Sequence, residues 1–245
     1  MPLLVPYHLD EHLADFDWPA EATRTVTRPE SPPGATTWEP LRALYEQVAS
    51  AVAQETGRTA VVAGDCMASL GIVAGLQRRG LDPSVVWFDA HGDVQTLETS
   101  TSGYLAGMPL RMLAGYGRPY LADPLGLRTV RESRIRLVGA RDLDPPEVTY
   151  LANSEIRRCT VEDLDEAQLP DGPIYLHLDV DVIDPGDLPG LTFPANDGPS
   201  LTAVRSALRR VLATGRTAAV CIACNWHRHR GAGTILRELA SELLA

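Results

Sequence analysis

The sequence predicts an α/β protein in which a doubly wound, mainly parallel sheet forms a single domain over residues 1–245. Two runs, 85–88 and 174–178, are apolar at nearly every position instead of alternating, which is typical of strands covered by helices on both faces. Such runs alternate along the chain with segments of helical apolar spacing, an order that favours parallel strand–helix–strand units. No internal repeat and no linker divides the sequence.

The predicted elements follow one another in a regular order. Strands are predicted at residues 3–7, 59–63, 85–88, 134–138, 174–178 and 217–223. Helices are predicted at 39–56, at about 69–79, from near 108–109 onward, at 201–211, and in a final segment that includes 235–243. Ser200 is expected to cap the helix that begins at residue 201.

Composition excludes several kinds of partner. The chain has 245 residues and a net charge of −10, with an isoelectric point near 5.0, so neither nucleic acid nor an anionic membrane is an expected partner. No apolar stretch approaches the roughly 18 residues of a membrane-spanning helix, and no signal peptide is recognisable. Four cysteines in a chain of this length do not indicate a disulfide framework. We therefore expect a cytoplasmic, reduced protein.

Acidic and imidazole side chains follow the strand predicted at 85–88. Asp89, His91 and Asp93 occupy alternate positions, and alternate side chains of an extended segment project to the same side. We expect them to converge just beyond the carboxyl edge of the sheet, where open α/β sheets bind their ligands.

A second buried strand, at 174–178, ends in the same way with Asp179 and Asp181. Five acidic or imidazole groups at one edge would be strongly unfavourable without compensation. A pair of divalent cations would neutralise most of this charge, and mixed carboxylate and imidazole ligands favour Mn²⁺ over Zn²⁺ or Fe²⁺. The two strand ends therefore predict a binuclear metal site.

Five motifs spread over nearly the whole chain resemble those of the arginase/ureohydrolase family, in the same order. They are Gly64-Asp65, Asp89-Ala90-His91-Gly92-Asp93, Ser102-Gly103-Tyr104-Leu105-Ala106-Gly107-Met108-Pro109, Gly139-Ala140-Arg141-Asp142-Leu143-Asp144-Pro145 and Asp179-Val180-Asp181-Val182-Ile183-Asp184-Pro185. The resemblance implies a three-layer α/β/α fold with a sheet of about eight strands. It also implies two Mn²⁺ per chain, activating a bridging hydroxide that attacks the guanidinium or formimidoyl carbon of a small molecule. Members of the family are usually trimers or hexamers, so a homo-oligomer is expected.

Carried over position by position, the resemblance implies a set of metal ligands. Asp89 and Asp179 would bridge the two ions, Asp93 would complete the coordination of one, and His91 and Asp181 would complete that of the other. His91, Asp93 and Asp181 are also the expected catalytic residues.

Two further residues near these ligands need separate interpretation. Cys66 stands where the family has a histidine after Gly-Asp. One interpretation is that its thiol is a ligand of an altered metal position, which would suit Zn²⁺ better than Mn²⁺. The other is that the thiol is buried but does not bind metal, so that the metal position beside it has a low affinity. His177 is predicted to be a core histidine behind the ligands rather than a ligand itself.

The resemblance also implies residues that would bind substrate. Asp144 matches a position that recognises an α-amino group, and Gln95 and Ser102 match polar positions that face an α-carboxylate. These matches favour an amino-acid-like substrate over agmatine. Without such a role, Asp144 would simply cap the following helix, and Gln95 and Ser102 would be solvated loop residues.

Three other positions depart from the family pattern. Ala106 replaces a histidine thought to transfer protons, Phe193 stands where a threonine is usual, and Cys224 stands near a glutamate that pairs with the substrate guanidinium. Cys224 is nevertheless expected to line the pocket, although it cannot replace that charge-assisted pair.

Three functions remain open at this point. The first is a metal-dependent amidinohydrolase that acts on an arginine-like or modified guanidino compound and releases urea or a relative of it. The second is a catalytically silent family member that binds metal or a small ligand. The third is a formimidoyl or amide hydrolase.

Overall fold

The structure of the chain is a computed structural model that describes residues 2–22, 24–31, 33–224 and 226–245. Its strands are β1 (Leu3–Val5), β2 (Tyr7–His8), β3 (Glu11–His12), β4 (Arg24–Thr25), β5 (Thr59–Ala63), β6 (Ser84–Phe88), β7 (Ile135–Val138), β8 (Arg157–Cys159), β9 (Ile174–Asp179) and β10 (Thr217–Ala223). Its α-helices are α1 (Trp38–Ala53), α2 (Ala68–Arg78), α3 (Pro109–Leu113), α4 (Ala122–Leu125), α5 (Pro145–Asn153), α6 (Leu201–Ala213), α7 (Ala232–Ile235) and α8 (Arg237–Leu244).

The main sheet is parallel throughout. In the described part of the chain it contains eight strands in the order β4-β1-β5-β10-β9-β6-β7-β8. β2 and β3 form a separate antiparallel pair. Crossovers run to both sides of the central strands, which is the doubly wound arrangement.

Helices cover both faces of this sheet, and their burial explains why the central strands are apolar throughout. On one face, buried residues of α1 and α2 join Trp87 of β6 and Tyr175 of β9 in one apolar cluster. On the opposite face, residues of α6 and α8 join Val86 and Leu176 in a second cluster. Burial of apolar surface on both sides is the dominant stabilising term for such a fold. The predicted three-layer, doubly wound fold of about eight strands is confirmed.

The predictions agree best for the central elements and less well for the ends of the chain. β5 and β10 have the predicted bounds. The run predicted at 3–7 is divided between β1 and β2 at Pro6, which has no N–H to donate. The segment predicted as a final helix is divided between α7 and α8. The edge strands β4 and β8 were not predicted because they carry arginines instead of an apolar run.

Ser200 caps α6 as predicted, since its Oγ accepts a hydrogen bond from Ala203 N at 3.2 Å. Within the described ranges, no helix is both long and apolar enough to cross a lipid bilayer.

Candidate metal centre and pocket

The two acidic strand tips lie side by side at the carboxyl edge of the sheet. β6 and β9 are neighbours, and Phe88 pairs with Leu178 in the parallel register. Asp89 follows Phe88, and Asp179 is the last residue of β9. Because the strands are parallel, both carboxylates emerge at the same edge, as the sequence predicted. Both are almost completely buried, with 1% and 2% of their surface exposed.

Backbone amides hold the acids of this edge in place. Asp181 N donates to Asp179 Oδ1 at 3.0 Å, and Ala90 N donates to Asp181 Oδ1 at 3.2 Å. His91 N donates to Asp89 Oδ1 at 2.7 Å. The segments that follow β6 and β9 are therefore hydrogen-bonded to each other through the carboxylate of Asp181.

His91 links the two strand tips through its ring. Its Nδ1 lies 3.2 Å from Asp181 Oδ2 and 3.5 Å from Asp89 Oδ1. Burial opposes a charge on the ring, but the hydrogen bonds to Asp181 and Asp89 prevail and raise the pKa of His91 to about 12. Without a bound cation, this imidazole carries the compensating charge of the cluster.

Asp93 is the group whose environment most clearly needs a partner. Its side chain is buried, and Oδ2 has no hydrogen-bond partner among the described residues. Burial, followed by the nearby carboxylates of Asp89 and Asp179, raises the pKa of Asp93 well above its usual range. Its backbone φ of +55° lies in the left-handed region, which is uncommon outside glycine and is better tolerated by aspartate than by most residues.

Cys66 lies in the same cluster, three residues after the end of β5. Its Sγ donates to Asp179 Oδ2 at 2.9 Å and lies 3.3 Å from His177 Nε2. Burial and the surrounding acids, Asp179 first among them, raise the pKa of the thiol well above its usual range. Without a bound cation, Cys66 is therefore a thiol.

His177 lies directly behind Cys66 and is completely buried. Its ring stacks on the indole of Trp87 with the centroids 3.6 Å apart. Nδ1 lies 3.1 Å from Tyr175 Oη and 3.2 Å from Ser69 Oγ. Burial lowers the pKa of His177 to about 3, so the ring is neutral.

The structure brings the candidate ligands together as two groups that share Asp89. One group is Cys66, Asp89 and His177, and the other is Asp89, His91 and Asp181; within each, the ligand atoms lie within 4.8 Å of one another. Carboxylates, imidazoles and a thiol are the donors that divalent transition metals use, and the unpartnered oxygen of Asp93 offers a further one. The residues present therefore fit bound divalent cations.

A cavity of about 150 Å³ opens above this cluster. Of the six predicted metal ligands, all but Asp181 line it, and so do Gln95, Ser102, Ala106 and Asp144. Gln95 Nε2 donates to Asp144 Oδ2 at 2.8 Å, and Thr99 Oγ1 donates to Gln95 Oε1 at 2.7 Å. Asp144 also caps α5, so its recognition and capping interpretations are compatible.

Cys224 is placed differently from the expectation that it lines the pocket. Successive side chains of a strand point to opposite faces, and Ala223, not Cys224, pairs with Asp179. Ala223 belongs to the apolar cluster on the face of Trp87, whereas Cys224 lies with Trp226 in the cluster on the other face. The thiol is buried there and does not reach the cavity.

Glu147 was not predicted from the sequence to be a residue of the site. Glu147 lines the cavity; its Oε1 accepts from Val94 N at 3.3 Å and its Oε2 from Asp144 N at 3.1 Å. The spacing of Asp144 and Glu147 is that of a capping box, which was the available signal. Tyr104 and Phe193 also line the cavity, with their rings 5.3 Å apart. The contact between these two rings joins distant segments, and the sequence carries no local signal for it.

Comparisons with known proteins identify the family of the chain. The profile of the Arginase family matches residues 9–222. The chain therefore belongs to the arginase family. It is 34% identical over 171 residues to an arginase of Bacillus caldovelox, covering 62% of this chain and 57% of that protein. It is 32% identical over 236 residues to an arginase of Eremothecium gossypii, covering 89% and 58%.

Solved structures show the same fold. The crystal structure of arginase from Bacillus subtilis superimposes with a TM-score of 0.79 at 25% identity, covering 100% of this chain and 99% of that one. Proclavaminate amidino hydrolase from Streptomyces clavuligerus superimposes with a TM-score of 0.71 at 17% identity, covering 99% and 89%. The matches to the curated relatives span only about half to three fifths of the length of those proteins.

Proposed function

We propose that this chain is a metal-dependent amidinohydrolase, which hydrolyses a C–N bond of a small guanidino compound and releases urea or a related product. The observation that carries the proposal is the buried, unpartnered Oδ2 of Asp93 in a cavity that Asp89 and Asp179 also line. A bound cation is the compensation that such a cluster of acids requires. The relatives named arginase support the class of reaction.

Two Mn²⁺ ions per chain are the proposed cofactors, with one position open to Zn²⁺. Asp89 and Asp179 would be shared between the ions, Asp93 would hold one of them, and His91 with Asp181 would hold the other. Divalent ions held there would supply the Lewis-acid chemistry that makes water a nucleophile at neutral pH.

The lining of the cavity suits a cationic substrate. Asp144 and Glu147 add carboxylates to it, and no arginine is among the described residues that line it. Arg141, in the loop after β7, instead donates to the backbone carbonyls of Val182 and Ala195 at 3.0 and 2.9 Å. The carboxylates of Asp144 and Glu147, which are not among the proposed metal ligands, would therefore attract a guanidinium or ammonium group.

Asp144 and Gln95 would recognise the part of the substrate that does not react. Their hydrogen bond, together with the one from Thr99, fixes both side chains before a substrate arrives. Groups that are already ordered lose less conformational entropy on binding. Asp144 would bind an α-amino group, while Ser102 would face an α-carboxylate, so an arginine-like or modified arginine is the proposed substrate.

The test is metal-dependent product release. Metal-free protein is reloaded with Mn²⁺ or Zn²⁺ and assayed for urea with arginine, hydroxyarginine, agmatine and guanidino acids, and for formamide or ammonia with formimidoyl compounds. We expect turnover of at least one arginine-like compound, and its loss in Asp93→Asn but not in the exposed control Asp163→Asn. No turnover of any compound by fully loaded protein would overturn the proposal.

A catalytically silent, metal-binding protein is the second candidate. The observation that favours it is the absence of a carboxylate on the pocket side of β10, where Ala223 lies beside Asp179, together with Ala106 in the lining. In that case Cys66→His, Ala106→His and Ala223→Glu combined should create urea release where the wild type has none. Activity in the wild type would exclude this candidate.

Family membership supports an oligomeric assembly, and the composition supports a cytoplasmic location. We propose a homo-oligomer, a trimer or a hexamer, in the cytoplasm. Light scattering of the purified chain at several concentrations tests the assembly.

A further inference from the structure

Cys66 and His177 form a buried pair that the proposed manganese chemistry does not use. The Sγ of Cys66 and the Nε2 of His177 lie 3.3 Å apart, and both belong to the group of potential ligands that includes Asp89. Sulfur and imidazole nitrogen are softer donors than carboxylate oxygen. They favour Zn²⁺ or Co²⁺ over Mn²⁺.

The ring of His177 is already oriented as a ligating histidine is. Its Nδ1 is engaged by the hydroxyls of Tyr175 and Ser69 at 3.1 and 3.2 Å, which leaves Nε2 facing Cys66. The stacked indole of Trp87 fixes the plane of the ring. Histidines that bind metals have their second ring nitrogen hydrogen-bonded in this way, because the bond selects the tautomer and the orientation.

An independent observation points to a cation in the cavity that Cys66 lines. Asp93 Oδ2 is buried without a hydrogen-bond partner among the described residues and lines the same cavity as Cys66. A hydrophobic or purely structural role for Cys66 would not explain why this acid is left unpaired in the same cavity.

We propose that Cys66, His177 and Asp89 form one of the two metal positions, and that this position binds a thiophilic ion such as Zn²⁺ while Asp89, His91 and Asp181 form a position of the Mn²⁺ type. His177 is then a ligand and not only a core histidine. The inference rests on the metal dependence of the proposed function, and it specifies which ions the site holds. On binding, the Sγ–H proton of Cys66 is released to solvent and the sulfur lone pair forms the metal bond.

Cobalt supplies a spectroscopic test that does not depend on activity. Metal-free protein titrated with Co²⁺ should show a sulfur-to-cobalt charge-transfer band in the near ultraviolet. Cys66→Ser should lose that band and one ion per chain by elemental analysis. Cys224→Ser is the matched control, since its thiol is equally buried on the opposite face of the sheet, and it should keep both.

His177→Gln tests the imidazole. It should keep the band, because the thiol remains, but bind that ion at least about tenfold more weakly. Cys66→His, which restores the residue usual in the family, should bind two ions without the band. A large excess of Mn²⁺ should displace Zn²⁺ from both positions of Cys66→His but from only one position of the wild type.

X-ray absorption at the zinc edge of the wild type covers the case in which a variant fails to fold. We expect one sulfur neighbour at about 2.3 Å with nitrogen or oxygen neighbours at about 2.0–2.2 Å. A zinc shell without sulfur, no charge-transfer band in the wild type, or unchanged cobalt affinity in His177→Gln would overturn the inference. Urea release without a sulfur ligand would leave the proposed function intact, whereas a sulfur ligand without any turnover would leave only the inference.

Discussion

The two histidines of the candidate centre face the same acidic cluster but have opposite protonation states. His91 is partly exposed, with 29% of its side chain accessible, and two carboxylates raise its pKa to about 12. His177 is completely buried between a thiol and two hydroxyls, and its pKa is lowered to about 3. Direct hydrogen bonds to carboxylates therefore outweigh burial at His91, whereas burial outweighs the nearby charge of Asp89 at His177. Only the neutral ring binds a metal, so His91 must lose a proton on loading and His177 need not.

Asp89 belongs to both ligand groups, and its substitution gives the largest expected effect. Asp89→Asn should abolish binding of both ions and with it all metal-dependent turnover, because the shared carboxylate is lost and His91 loses one of the acids beside its ring. Elemental analysis of reloaded protein measures this, with Asp163→Asn as the exposed control. Retention of one full equivalent would show that the two groups do not share Asp89.

His91→Gln should distinguish the metal position that contains His91 from the one that contains Cys66. It should remove one ion per chain while the sulfur-to-cobalt band of the Cys66 position persists, since His91 is absent from the group that contains Cys66. Titration with Co²⁺ followed by absorption and by metal analysis distinguishes the positions. Loss of the band in this variant would mean that His91 and Cys66 serve the same ion.

Asp144→Asn leaves both histidine environments intact and should change only substrate binding. Losing a charge-assisted hydrogen bond costs about 1.5–3 kcal/mol, so KM should rise by roughly ten- to hundredfold. Asparagine caps helices about as well as aspartate, so α5 and the thermal stability should be unaffected. Steady-state kinetics with the best substrate, alongside metal content, checks both parts. An unchanged KM would remove Asp144 from substrate recognition.

Proton release on metal binding is the smallest expected effect. It tests directly whether His91 and His177 differ in protonation state. At neutral pH the metal-free His91 is protonated because its pKa is about 12, so loading should release its proton and metal affinity should increase with pH. Calorimetry in buffers of different ionisation enthalpy counts the protons, and His91→Gln should release about one fewer. The same raised pKa stabilises the metal-free fold fully below about pH 6.5, and this contribution is lost as the pH rises through 12.

More of the fold than of the candidate site could be predicted from the sequence. Continuous apolar runs at 59–63 and 217–223 predicted β5 and β10 to the residue, because burial on both faces leaves an unambiguous pattern. The edge strand β8, with Arg157 and Arg158 exposed, has no such pattern and depends on pairing with β7. The local sequence pattern therefore predicts the buried strands. It misses exposed edge strands, which are held only by backbone pairing with a neighbouring strand.

The strand-tip acids were predictable because period-two alternation and parallel strand ends are local rules. The contact of His177 with Cys66 was not predictable, since it joins residues 111 positions apart in the chain. The position of Cys224 also could not be predicted from the local sequence. Its face is fixed by the register of β10 against β9, and a shift of one residue reverses which side chain meets the pocket.

The indole of Trp87 touches both halves of this centre. Its Nε1 donates to Asp89 Oδ2 at 3.0 Å, while its ring lies flat against His177. Filling either metal position would change the electric field across that ring. We therefore expect the fluorescence of Trp87, one of the four tryptophans of the chain and a buried one, to change when metal is bound.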